Sequence, residues 1–312
     1  MSWQPGAGPI APAGSLPPSS DVLSCGLIDT HLGDDPSATA GQTPPASFRY
    51  LRGVTDPGSV QVLLATTGSQ DFVLGRSHPR RVLWLIEPKG LFPGHREYRY
   101  PSPSAMEQFD LVLTHRRDLA ESLPNAEWMT HVGSWIDPDA HAVAEPATHA
   151  VEKTKFASFI ASRKFLGLPG YTMRYLIKVT VTGYDGFGPL FGDWIPSKLP
   201  ALLPYRFHIV IENDSCDWWH TEKLFDAFAA RCVPLYWGGG DAKLRELGFD
   251  TAGILRWESP AGLQSLLGAL AQDPAKSYAS FARALETNHA RTREIRCAEW
   301  LLERILRRRF SL

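Results

Sequence analysis

The densest run of chemically capable residues is FHIVIENDSCDWWHTEKLFDAFAARCVPLYWGGG, residues 207–240. An apolar strand delivers Glu212 and Asn213 to its carboxyl end. After a short loop, Thr221 stands as the N-cap of a helix that opens with Glu222 and Lys223. A helix N-terminus with a lysine beside it suits a phosphate or diphosphate, because backbone N–H groups and a full positive charge face the same anion. A nearby carboxylate suits paired ribose hydroxyls, since it accepts two hydrogen bonds at once. The next strand, VPLYW, ends in Gly238, Gly239 and Gly240, which let a ligand approach the backbone closely. In outline this is a nucleotide-sugar site. Each piece also has a plainer reading: Glu222 and Lys223 as a solvated first turn, the glycines as a turn, Trp218 and Trp219 as core.

Further candidates lie in the first half. Glu87 is the only acidic residue in 72–96 and ends the apolar run RVLWLIE. A carboxylate at a strand end is a candidate for chemistry; the alternative is a salt bridge to Lys89 or Arg96. His95 follows closely and could line the same site; on the resemblance given below that would be its acceptor side. Arg116 and Arg117 in THRRD stand at a strand end, where they could meet a ligand or simply be solvated. Trp135 in HVGSWIDP could line a cleft. His220, Cys216 and Asp217 do not have the spacing of a recurring metal site.

The elements that must position these residues alternate. VQVLLATT, RVLWLIE, DLVLTH, FASFIAS, RFHIVIEN and VPLYW read as short, nearly continuous apolar strands. Between and after them come helical stretches at 117–124, 170–183, 221–232 and 260–271, with a long helix at about 276–309. Strand–helix alternation in two halves predicts an α/β protein with two Rossmann-like domains whose parallel sheets face a central cleft. The expected organisation is a flexible N-terminus at 1–20, a first domain at 21–145, a second at 151–290 and a C-terminal amphipathic helix at 291–312. The polar, Pro- and Ala-rich stretch 137–155 is the linker.

At 312 residues the chain has room for about two domains. A net charge of −1 argues against a nucleic-acid binder held by a basic surface. Four scattered cysteines without a CxxC argue against a zinc ribbon or a disulfide scaffold and favour a reducing compartment. Neither a signal peptide nor a membrane-spanning run is read in the sequence, so a cytoplasmic protein is expected. In the last segment Trp300, Leu301, Ile305 and Leu306 form an apolar face, while Arg304 and Arg307 to Arg309 are basic. This helix could pack back on the first domain, touch a membrane peripherally, or do both.

The stretch IENDSCDWWHTEKLFDAFAARCVPLYWG resembles the signature of family 10 glycosyltransferases, the α-1,3/1,4-fucosyltransferases. LWLIEPKGLFP, FDLVLTHRRD and KFASFIAS with Met173-Arg174 resemble further family segments, so similarity extends over most of 80–290. The resemblance implies a GT-B fold and transfer of L-fucose from GDP-fucose, or from GDP-fucose's place another GDP-sugar, to a hydroxyl of an oligosaccharide or lipid-linked glycan. It implies Glu87 as general base, Glu222 and Lys223 as ribose and phosphate contacts, and Asn213 near the donor. Arg174, with Arg163 as its competitor, would steady the diphosphate. Trp219 stands where the family has a tyrosine, so it would stack on the donor without offering a phenol hydroxyl. Inverting displacement would follow, with fixed positive groups in place of a divalent metal, so no metal or other cofactor is expected. A different GDP-hexose as donor, or an inactive GDP- or glycan-binding protein, are the competing readings.

Overall fold

The computed structural model describes residues 22–28, 37–54, 56–89, 100–139, 152–164 and 167–312. Eleven strands among them form two sheets, every pairing parallel. The first sheet contains β1 (Leu23–Ile28), β2 (Phe48–Leu51), β3 (Val62–Thr66), β4 (Arg81–Leu85), β5 (Leu111–Thr114) and β6 (Ala126–Trp128), in the order β2-β1-β3-β4-β5-β6. The second contains β7 (Lys155–Ile160), β8 (Asp185–Phe187), β9 (Tyr205–Ile211), β10 (Val233–Trp237) and β11 (Leu255–Arg256), in the order β8-β7-β9-β10-β11. The central strands are continuous apolar runs because helices or the other domain cover both faces; β3, β5 and nearly all of β9 and β10 are buried.

Both sheets share one topology: the second strand lies outside the first, and the chain then returns past it. Strand order therefore reverses between β1 and β3 and between β7 and β9. In open α/β sheets ligands settle outside the carboxyl ends of the strands at such reversals. The expected α/β fold with two parallel sheets is the one observed.

A shared core joins the halves. Val62, Val82 and Leu111 of the first sheet and Phe225, Phe228 and Phe249 of the second half belong to one buried cluster. The helix Glu222–Ala229 also supplies a polar clamp. Its buried Asp226 accepts from Ser134 Oγ at 2.8 Å and Trp135 N at 2.7 Å in the first domain.

The long helix expected at 276–309 is three helices: Pro274–Ala279, Ala282–Glu294 and Ala298–Phe310. The chain breaks at Ile295–Cys297, where it crosses to the first domain. There Ser134 N donates to Arg296 O at 3.2 Å and Ala298 N donates to Thr39 Oγ1 at 2.9 Å. The last helix packs on the first sheet. Its buried Glu299 accepts from Ala38 N and Ser37 Oγ, both at 2.6 Å, and from Tyr50 OH at 2.9 Å. Two of its arginines are engaged by carboxylates, Arg307 by Glu303 at 2.8 Å and Arg308 by Glu127. No helix among the described residues is long and apolar enough to cross a membrane.

Candidate active-site cleft

A cavity of about 610 Å³ lies where the carboxyl ends of the two sheets meet, a size that holds a nucleotide-sized ligand. From the first domain it receives Glu87, His131 and Trp135; from the second, Arg174, Asn213, Glu222, Lys223 and Lys198. Residues separated widely in sequence thus converge at the β7/β9 reversal and beyond the end of β4.

The second-domain wall is built around Glu212, which is fully buried just past β9. Its two oxygens accept from Thr221 N at 2.8 Å and Thr221 Oγ1 at 2.6 Å. Burial pushes its carboxyl pKa up, and these bonds together with nearby Lys223 partly offset that. Thr221 caps the helix Glu222–Ala229, as the sequence predicts, by accepting from Lys223 N. Lys223 Nζ turns back to Thr221 Oγ1 and Glu222 Oε1, each at 3.0 Å, and stands 3.8 Å from Glu212 Oε2. Burial alone would raise the pKa of Glu222; Lys223, Lys198 and His131 outweigh it and hold this carboxyl at about 2. Glu222 is therefore an ionised acceptor at any ordinary pH.

Arg174 lies on the helix Pro169–Thr180 and is 4% exposed. Its guanidinium donates to Ile211 O at 2.6 Å and Asn213 Oδ1 at 2.9 Å, and sits 4.7 Å from the Tyr171 ring centroid. The start of this helix is pressed against the turn after β9. A Cβ at Gly170 would come within 1.8 Å of Glu212 O, so only glycine permits the approach that carries Arg174 into the cleft. Arg163, the alternative to Arg174, is exposed and does not line the cavity.

Glu87 faces this charged wall from the opposite domain. Its Oε2 is buried with no hydrogen-bond partner, and it forms no ion pair with Lys89. Burial, with Glu222 and Glu212 adding repulsion against Lys223 and Lys164, raises its pKa to about 7. A carboxyl poised near neutrality with an open oxygen is a competent proton acceptor.

Trp135 lines the cavity as anticipated; it is 43% exposed, with Lys198 Nζ 4.3 Å from its ring centroid. Two expectations are corrected. Trp219 does not face the cavity: it is 1% exposed and its ring lies 4.3 Å from that of His115, so it packs the domain junction instead of stacking on a donor. The glycine run does not open the backbone to a ligand. A Cβ at Gly238 would meet Tyr236 OH at 2.5 Å, and one at Gly239 would meet Trp219 O at 2.3 Å, so packing within the protein demands these glycines. The first half also carries a close carboxylate pair, Asp137-Pro138-Asp139, of the kind that can hold a divalent cation. Arg296 engages both of these carboxylates and Arg293 bonds Asp139 at 2.7 Å, away from the cavity lining. No group of three or more His, Cys, Asp or Glu that could hold a metal ion occurs among the described residues.

Arg116 lies in a second hollow, forked onto Asp118. His95 lies outside the described residues. His131, Lys198 and Asp226 were not anticipated. Asp226 had a signal: it stands four residues after Glu222, on the same helical face. His131 had none.

No protein-family model matches the chain. Among solved structures, an α1,3-fucosyltransferase with GDP-fucose superposes with a TM-score of 0.53 over 92% of this chain and 85% of that one, at 15% identity. A mutant of S. aureus TarM in complex with fondaparinux, α-GlcNAc-glycerol and UDP gives 0.51 over 80% and 55%, at 10% identity. These likenesses establish the fold as the GT-B type of glycosyltransferases. In sequence, 87 residues, 28% of the chain, are 31% identical to the α-(1,3)-fucosyltransferase FucT of Helicobacter pylori, and they span 18% of that enzyme. The chain is thus similar to α-1,3-fucosyltransferases in sequence over that segment and in fold over most of its length.

Proposed function

We propose that the chain is an inverting glycosyltransferase that moves L-fucose from GDP-fucose to a glycan hydroxyl. One observation carries the reading: the unpartnered Glu87 oxygen shares a cavity with Lys223 and Arg174. The acceptor oxygen attacks the anomeric carbon of the donor while Glu87 takes its proton. The bond from that carbon to the diphosphate oxygen breaks, and its electron pair leaves with GDP. Glu222 receives ribose hydroxyls. Lys223, Arg174 and the N-terminus of the helix Glu222–Ala229 stabilise the charge growing on the diphosphate. Three such groups supply the electrostatic role a divalent cation would fill, so the reading includes no metal. The likeness to a fucosyltransferase over 87 residues favours fucose among GDP-sugars. Any peripheral membrane contact of the last helix would draw on Arg304 and Arg309, since Arg307 and Arg308 are paired.

The test is GDP release from GDP-fucose with and without a panel of glycans, for wild type and Glu87→Gln, in EDTA. Acceptor-dependent release that survives EDTA and collapses in the variant is the expected result. Tight GDP binding without release from GDP-fucose would point to another GDP-sugar or to a binding protein.

A further inference from the structure

Beside the helix Glu222–Ala229 the two domains are stitched together at two points. Thr130 Oγ1 of the first domain donates to His220 O at 2.7 Å and accepts from His220 N at 3.1 Å. One helical turn past Glu222, Asp226 accepts from Ser134 Oγ at 2.8 Å and Trp135 N at 2.7 Å. Between these stitches lie His131 on the first-domain side and Glu222 on the other. Both line the larger cavity, and each shifts the titration of the other. We propose that His131 is a specificity-determining residue of the donor site: it takes one hydroxyl of a ribose diol whose other hydroxyl goes to Glu222, so that the donor is read from both domains. This deepens the glycosyl-transfer reading and rests on its assignment of Glu222 to the ribose.

The chemistry of the pair selects a diol. His131 Nε2 stands 2.8 Å from Ala38 O, and a carbonyl only accepts, so Nε2 carries a proton. Burial pulls the pKa of the ring below the usual histidine range, against the opposing pull of Glu222 and Glu299. The ring is therefore neutral, and Nδ1 is left with a bare lone pair. Nδ1 has no hydrogen-bond partner among the described residues and is not one of the polar atoms sealed from solvent. Glu222, held ionised, also offers only acceptors. Two acceptors side by side require two donors on one ligand, and adjacent O–H groups supply them. A phosphate there would meet lone pairs from both sides, which leaves the diphosphate to Lys223 and Arg174. The ring is also held in place beforehand. Ala38 is fixed by its own N–H donation to Glu299 at 2.6 Å, and the Trp84 indole lies edge-on to the imidazole at 6.2 Å.

The experiment removes the two ring nitrogens one at a time. His131→Gln keeps a donor near the place of Nε2 and removes Nδ1; His131→Asn keeps an acceptor near the place of Nδ1 and gives up the bond to Ala38. Affinities for GDP, 2′-deoxy-GDP, 3′-deoxy-GDP, ADP and UDP are read by titration calorimetry, with the melting temperature as the control for folding. His131→Gln is expected to weaken GDP binding about three- to tenfold, the scale of one lost hydrogen bond, and to lose nothing further on the deoxynucleotide that lacks the hydroxyl it served. His131→Asn is expected to bind GDP within about twofold of wild type. The same loss on all three guanine nucleotides in His131→Gln, or a loss in His131→Asn with none in His131→Gln, would make the ring a structural prop. Either result would overturn the assignment and leave the function standing. The same diol dependence with ADP or UDP, and no binding of GDP, would keep His131 in its role and sink the GDP-sugar reading.

Discussion

The two halves repeat one strand order yet end in different chemistry at the cleft. On the second-domain wall the buried charged groups are wired: Glu212 to Thr221, Lys223 to Glu222, Arg174 to Asn213 and to Ile211 O. On the first-domain wall Glu87 keeps one oxygen without a partner and a pKa near 7. A wired wall has fixed charge and fixed geometry, which suits holding a diphosphate. An unwired carboxyl can change protonation state, which suits moving a proton. In the proposed mechanism the division of labour between domains follows from which side chains are satisfied, and the shared topology does not dictate it.

The largest expected effect comes from removing the unwired group. Glu87→Gln should lower the transfer rate by about 10²- to 10⁴-fold, the usual contribution of a general base, while leaving GDP affinity intact. In wild type, kcat/KM should rise as pH increases through about 7, where Glu87 loses its proton. The sign for stability is opposite. A raised carboxyl pKa favours folding below neutrality and costs stability above it, so at pH 8 the variant should melt no lower than wild type, and about 5 °C higher if the full cost of the buried charge is relieved. A stable variant that keeps its rate would break the comparison.

Cutting the wired wall should act on binding instead. Lys223→Met removes a charge-assisted contact of about 1.5–3 kcal/mol, or roughly a 10- to 100-fold loss in GDP affinity. It also removes the strongest counter-charge of Glu222. Because that carboxyl is held near 2, it stabilises the fold above its ordinary pKa and loses this contribution as pH falls toward 2. The variant should therefore show a shallower loss of stability between pH 4.5 and 2, measurable by urea midpoints. GDP binding by titration calorimetry that is unchanged in Lys223→Met would remove the lysine from the donor site.

A smaller and more diffuse effect comes from histidines behind both walls. Burial lowers the pKa of His115 and His220 to about 4 and that of His208 to about 3. The unfolded chain takes up protons from about pH 6.5 downward and the folded chain does not, so stability should fall between pH 6.5 and 4. Glu87 and Glu212, both raised by burial, work in the opposite direction, but they are two groups against four, since burial lowers His131 as well. A urea midpoint at pH 5 equal to that at pH 7 would contradict the burial of these rings.

What the sequence revealed depended on how local each cause is. β3, β4, β9 and β10 were legible because their burial on both faces writes itself as apolar runs. The Thr221 cap with Glu222 and Lys223 was legible because capping is a matter of two or three residues. β1, LSCGLI, and the short β6, β8 and β11 were missed, since a glycine, a cysteine or a two- to three-residue length leaves no period to read. The break at 295–297 was illegible for another reason. No proline or glycine marks it; the helix ends are captured by Ser134 and Thr39, more than 150 residues away in sequence. The same holds for His131 and Lys198, which only tertiary folding brings to the cleft. The glycines after β10 were correctly singled out and wrongly explained, because a sequence shows that a Cβ is absent and does not show what would strike it.

The smallest effect is expected at Trp219, and it sharpens the boundary between the two walls. By position in the signature this residue should touch the donor. In the structure its ring is buried against His115, and its Nε1 has no hydrogen-bond partner. Trp219→Phe removes a buried donor that bonds nothing and keeps an aromatic face toward His115. The loss of ring volume and the relief of an unsatisfied N–H act in opposite directions, each on the scale of about 1–3 kcal/mol, so stability should move little. Neither change reaches Glu222, Lys223 or Arg174, so GDP-sugar affinity should stay within about twofold of wild type, less than 0.5 kcal/mol. Isothermal titration with GDP-fucose decides it. A tenfold loss in a variant that melts normally would return Trp219 to the donor wall and would mean that the domains repack around the ligand.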